Sequence, residues 1–136
     1  MEIAPYLVFN GRCAEAFKLY TAVLRGKVEM SQTHGESPMS DQVSPDWKDK
    51  IMHIRMVVGN FALMGSDAPP SMYAPPAGTA VSVAVDGVAE AECIFKGLSD
   101  QGTVTMPFQK TFWSAGFGML TDRFGVPWMV NTNQPA

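Results

Sequence analysis

Between residues 12 and 24 apolar side chains recur every three or four positions, at Cys13, Ala16, Phe17, Tyr20, Val23 and Leu24, with Arg12, Glu15 and Lys18 on the other side. This is the spacing of an amphipathic helix with one buried stripe. The pattern returns at Val88, Ala91, Phe95 and Leu98, with Glu90 and Glu92 near the positive end of the helix dipole. Gly97 costs that second helix about 1 kcal/mol of propensity. Asn10 is placed to cap the first helix and Gly26 to end it, while Asp86-Gly87 and Gly102 bound the second.

Around each helix the apolar period falls to two or to short unbroken runs, which predicts strands. Residues 6–10 are apolar nearly throughout and read as a strand buried on both faces. Residues 27–33 alternate Val28, Met30 and Gln32 against Glu29, Ser31 and Thr33, a half-exposed strand. The polar, proline-bearing stretch 35–49 predicts a loop with a helical turn at Asp46-Trp47-Lys48. Strands follow at 50–58 and 61–66, joined at Gly59-Asn60, a pair suited to the positive φ of a tight hairpin. Four prolines in 66–78 predict a linker, kept against the surface by Met72 and Tyr73. Strands at 79–85 and 103–106 come next. Last comes a hairpin with arms near 118–121 and 126–131 around Asp122-Arg123-Phe124-Gly125. The Asp122 carboxylate suits the first turn position because it bonds the backbone N–H groups just ahead, and Gly125 suits the last.

The order strand–helix–strand–strand–strand therefore occurs twice. Sliding the first half by roughly 75 residues lays Cys13, Ala16, Tyr20 and Val23 on Val88, Ala91, Phe95 and Leu98, the signature of an internal repeat. The fold class is α+β: two βαβββ modules, residues 1–66 and 79–136, with the linker at 67–78. Each helix covers one face of its sheet and leaves the other in need of a partner. Two such sheets forming a curved cleft, with the helices packed outside, would enclose a small-molecule site.

Composition narrows the function. Net charge is −3 with no basic cluster, which argues against nucleic acid. No apolar run reaches the roughly 18 residues that span a bilayer, and residues 1–9 lack the basic start and cleavage site of a secretory signal. Cys13 and Cys93 both read as buried free thiols, as expected of a cytoplasmic protein.

The segments Pro5-Tyr6-Leu7-Val8-Phe9-Asn10-Gly11, Met52-His53, Met64-Gly65-Ser66-Asp67, and Thr111-Phe112-Trp113 through Gly125-Val126-Pro127-Trp128-Met129-Val130-Asn131 resemble one family. It is the PhnB-like branch of the vicinal-oxygen-chelate (glyoxalase/bleomycin resistance/dioxygenase) superfamily, often labelled 3-demethylubiquinone 3-methyltransferase. A methyltransferase of the common nucleotide-binding type needs a glycine-rich turn after its first strand. Here that turn is Asn10-Gly11-Arg12-Cys13, with one glycine, and Gly116-Phe117-Gly118 opens a strand and lacks the third. The resemblance implies metal positions at about Pro5, Met64, Ala80 and Met129. None of these side chains, nor their neighbours Tyr6, Leu63, Gly65, Val81, Trp128 and Val130, supplies imidazole or carboxylate to a divalent ion. No metal and no cofactor are expected.

With a two-residue turn at Gly59-Asn60, Val58 pairs with Phe61 and the pairing continues outward, so that Arg55 opposes Met64 and His53 opposes Ser66 on one face of the hairpin, while Ile54, Met56 and Leu63 take the helix side. His53, Arg55, Met64, Ser66, Trp113 and Met129 are then the expected ligand-binding residues. His53 offers an imidazole for a hydrogen bond to ligand or within the sheet, Arg55 suits an anionic group, and Phe112 and Trp113 form either an aromatic wall on a mobile loop or a packing contact. Trp128 falls on the helix side. The ten methionines suit an adaptable apolar cavity. The expected protein is a metal-free binder of a small apolar or aromatic molecule with the glyoxalase/bleomycin-resistance fold, and a homodimer. Two other readings stand beside it: a metal-dependent lyase, isomerase or dioxygenase of the same superfamily, and an interaction protein with a packed cleft.

Overall fold

One plan is built twice. In the computed structural model, which describes all 136 residues, the first unit (Met1–Pro75) contains β1 (Tyr6–Phe9), α1 (Cys13–Leu24), β2 (Lys27–Thr33), β3 (Ile51–Val58) and β4 (Phe61–Asp67). The second (Pro76–Ala136) contains β5 (Val81–Val85), α2 (Val88–Ser99), β6 (Thr103–Gln109), β7 (Phe117–Thr121) and β8 (Pro127–Thr132). Strand order is β1-β4-β3-β2 in one sheet and β5-β8-β7-β6 in the other, with β1 parallel to β4 and β5 parallel to β8. The repeat inferred from periodicity is thus present in topology as well as in spacing. Neither helix is long and apolar enough to cross a membrane.

In the first unit α1 buries Cys13, Ala16, Phe17 and Tyr20 against Ile54, Met56 and Leu63, all buried. Gly65 lets the helix approach, since a Cβ there would lie 2.7 Å from the Phe17 ring. In the second unit α2 buries Ala91, Ile94, Phe95 and Leu98. They meet the face of Leu120, Trp128 and Val130, where a Cβ at Gly118 would lie 2.6 Å from Phe95. Trp128 is on the helix side, as the alternation of β8 required.

The hairpins also hold. Gly59 has φ 58°, and Val58 pairs with Phe61, Met56 with Leu63 and Arg55 with Met64. At the closing turn Asp122 Oδ1 accepts from the backbone N–H groups of Phe124 (2.9 Å) and Val126 (3.0 Å), while Gly125 at φ 90° donates to the Asp122 carbonyl. Oδ2 takes the indole N–H of Trp128 at 2.9 Å, a bond that turn chemistry alone does not foretell.

Several expectations are corrected. Asn10 does not cap α1. Asp67 does so from the end of β4, its Oδ1 accepting from Gly11 N (2.9 Å) and Cys13 N (3.0 Å) and its Oδ2 from Ile51 N (2.9 Å). Asp67 is only 3% exposed, so β4 runs one residue into the stretch read as linker. Residue Arg25, at φ 55°, takes the left-handed position after α1, and Gln101 at φ 60° repeats this after α2. Gly26 is instead a close approach: a Cβ there would meet Met56 Sδ at 2.9 Å. Strand β1 is half-exposed, with Tyr6 and Val8 turned away from the helix, because it is an edge strand covered on one face only. The 35–49 stretch holds short 3₁₀ turns, one at Pro45–Trp47, and Met72 faces solvent.

Cys13 is buried but Cys93 is exposed, because it lies off the Ala91–Phe95 stripe of α2. Burial, with the Asp67 charge nearby, pushes the Cys13 thiol well above its usual range. One thiol per native chain is therefore expected to react promptly with an aromatic disulfide reagent, and two after denaturation. Prompt native reaction of both would contradict this packing.

Candidate functional site

The chemistry of the first unit collects on the sheet face turned away from α1. In β3, His53 and Arg55 point there, two residues apart. Met64 of β4 stands opposite Arg55 and beside Tyr6 of β1, and Ser66 pairs with Val8. The parallel β1–β4 ladder brings Tyr6 over His53: the phenol oxygen lies 3.0 Å from Nδ1, and the rings stack at 5.6 Å between centroids and 19° between planes. Tyr6 was not among the residues expected to form the site. The signal that could have found it is its parity with Val8 on an edge strand.

Arg55 sits in this group, but its donors are engaged within the chain. It holds Glu2 with two bonds of 2.6 and 2.7 Å and Glu29 with one of 3.1 Å, and its guanidinium approaches Met64 Sδ at 3.7 Å. Hydrogen bonding to Arg55 keeps the exposed Glu2 carboxyl below its ordinary range, and Glu2 in turn raises the guanidinium further. The cation is thus clamped across the N-terminal segment and β2.

In the second unit the corresponding face bears Met119 opposite Met129, and Phe117 opposite Asn131, with Ser82 beside Met129 on the far strand. Trp113 packs edge-on to Phe117 at 5.3 Å and to Phe112 at 4.8 Å. Its turn is stitched rather than loose: Ser114 N donates to Thr111 Oγ1 (3.1 Å) and Thr111 N to the Ser114 carbonyl (2.9 Å). The buried Ser114 hydroxyl lies 2.9 and 3.0 Å from the Gly116 and Thr132 carbonyls. Trp113 is half exposed and Phe112 is nearly free. Asn131 is a second residue that pattern reading missed. Its Oδ1 is buried with no hydrogen-bond partner, a costly state that marks a polar group worth testing.

On the helix side of the first unit an open, apolar groove of about 490 Å³ runs between α1 and the β2–β3 edge, lined by Ala14, Phe17, Thr21, Val28 and Ile54 among others.

No three His, Cys, Asp or Glu side chains come together in a way that could hold a metal ion. Pro5 and Met64 do meet, Met64 N donating to the Pro5 carbonyl at 3.1 Å, so the implied ligand positions of the first unit are adjacent but bear the wrong side chains. His34 donates its Nε2–H to the Asp67 carbonyl (3.0 Å), apart from His53 in its bonding. At the start of α1 the amides of Gly11 and Cys13 are taken by Asp67. The helix N-terminus that would meet a nucleotide-type cofactor is thus satisfied by the chain's own carboxylate.

Comparison with known proteins agrees with this architecture. The profile of the 3-demethylubiquinone-9 3-methyltransferase family matches residues 1–131. Protein YjdN of Escherichia coli (strain K12) is 36% identical over 141 residues, covering 96% of this chain and 95% of YjdN. The crystal structure of protein PA1353 from Pseudomonas aeruginosa superposes with a TM-score of 0.90 at 52% identity, covering 98% of each chain. The glyoxylase/bleomycin resistance protein/dioxygenase domain from Frankia sp. EAN1pec superposes with a TM-score of 0.68 at 11% identity, over 100% of this chain and 98% of that one. That last likeness is one of fold.

Proposed function

The chain belongs to the 3-demethylubiquinone-9 3-methyltransferase family, within the glyoxalase/bleomycin-resistance fold, and from that premise we propose that it is a metal-free protein that binds a small, uncharged, apolar or aromatic molecule. The observation that carries this reading is the uncovered face of the first sheet, where Tyr6, His53 and Met64 adjoin. Arg55 lines the same face, but an anion would have to displace two carboxylates from it. Neutral ligands therefore fit better than anionic ones. Ser66 completes the contact residues of that face; Trp113 and Met129, also expected to touch ligand, belong to the second unit's own sheet face. The satisfied amides at Gly11 and Cys13 support binding over nucleotide-dependent methyl transfer.

A homodimer in the cytoplasm goes with this reading. Edge strands β2 and β6 expose Val28, Met30, Val104 and Met106, apolar side chains on both faces of unpaired edges that a second copy would cover. Light scattering is expected to give twice 14.8 kDa.

The test is a thermal-shift screen of neutral aromatic and apolar metabolites on protein purified without chelators, with metal analysis of the same sample. A ligand at a hundred times its Kd stabilises by about 2.7 kcal/mol, and His53→Asn should shrink that shift. One tightly held equivalent of Ni, Zn, Mn or Fe per chain would instead establish the metal-dependent alternative.

A further inference from the structure

We infer that Tyr6 fixes the neutral imidazole of His53 in its Nε2–H form, so that the uncovered face of the first sheet aims one hydrogen-bond donor at a neutral carbonyl ligand. The inference rests on the small-molecule reading above and adds the ligand's class and a positioning residue.

The phenol oxygen of Tyr6 is 3.0 Å from Nδ1, and the stacked rings hold it there. A neutral imidazole has one donor and one acceptor nitrogen, and the bond made by one nitrogen decides the role of the other. A phenol O–H is a stronger acid than an imidazole N–H, so the phenol donates and Nδ1 accepts. The proton of the ring then sits on Nε2, to which no group of the chain is bonded. The charged groups of this face, Arg55, Glu2 and Glu29, are joined to one another, so no carboxylate contests the Nε2–H. An acceptor oxygen suits that donor. The apolar flank formed by Met64 beside Tyr6 suits a hydrocarbon or aromatic body, and Glu2 and Glu29 disfavour an anion. Those three conditions describe an aromatic or aliphatic ketone, aldehyde or quinone-like carbonyl.

Imidazole ¹⁵N NMR at mildly alkaline pH tests the first half. The wild type is expected to show Nδ1 unprotonated and Nε2 protonated, and Tyr6→Phe, which leaves the fold intact because Tyr6 is half exposed, is expected to show a mixture. Titration with acetophenone and with ethylbenzene, followed at the His53 ring protons in the wild type and at the Tyr6 ring protons in both wild type and His53→Phe, tests the second. Acetophenone should bind wild type roughly fivefold more tightly, the worth of one hydrogen bond, and the difference should disappear in His53→Phe. An Nδ1–H ring in the wild type, an unchanged ring in Tyr6→Phe, or equal affinity for the two probes would overturn the inference while leaving small-molecule binding intact. Failure of both probes to perturb His53 would bring down the binding reading beneath it as well.

Discussion

Replacing Asp67 by alanine is expected to destabilise the protein by about 4 kcal/mol, more than a typical surface change and near the top of single-substitution effects. The Asp67 carboxylate is buried and accepts three backbone N–H groups, from Gly11, Cys13 and Ile51. These lie at the start of α1 and the start of β3, which this one carboxylate ties together. Truncation leaves the Cys13 and Ile51 donors buried, and the Gly11 donor part-buried, without an acceptor, and each buried donor costs about 1–3 kcal/mol before relaxation. Asp67→Asn separates hydrogen bonding from shape. Its carboxamide oxygen can still serve two amides, while its NH₂ meets the third donor. The expected loss is about half that of alanine. Urea unfolding followed by circular dichroism measures both. An alanine variant within about 1 kcal/mol of wild type would show that water replaces the carboxylate without penalty.

The second large effect is at Trp128. It is the largest fully buried side chain, 1% exposed, packed on the α2 side of β8 and donating its indole N–H to Asp122 at 2.9 Å. Trp128→Ala should cost about 5 kcal/mol from lost apolar burial and the cavity left behind. Trp128→Phe keeps much of the ring contact and withdraws the donor from Asp122, so its cost should be closer to 1–2 kcal/mol. The two variants together divide packing from hydrogen bonding. If phenylalanine proved as damaging as alanine, the Asp122 bond rather than the ring would dominate the turn.

Much of the fold is legible along the chain because it is locally encoded. The stripe from Cys13 to Tyr20 and its echo at Ala91 to Leu98 reflect a period that only a helix satisfies. The pairing of Arg55 with Met64 follows from alternation once Gly59 sets a two-residue turn. The site is less legible. His53, Arg55 and Met64 could be assigned to one face from the hairpin, but Tyr6 enters 47 residues away through a parallel strand pair. Asp67 was hidden for the same reason, its composition context being prolines while its partners lie across α1 and β3. Arg55 could be read as an anion anchor only because Glu2, at an unpatterned N-terminus, gave no hint of reaching it.

By itself, then, the sequence determined the repeated βαβββ order, the helix faces, both hairpin turns and the lack of metal-binding side chains at the implied positions. Each of these depends on residue type, or on φ and ψ preferences over a few neighbouring residues. Tertiary structure alone decided that Tyr6 bonds His53, that Asp67 caps α1 and that Arg55 is clamped by two carboxylates. Those outcomes depend on which distant segment lies alongside, which no pattern over neighbouring residues specifies.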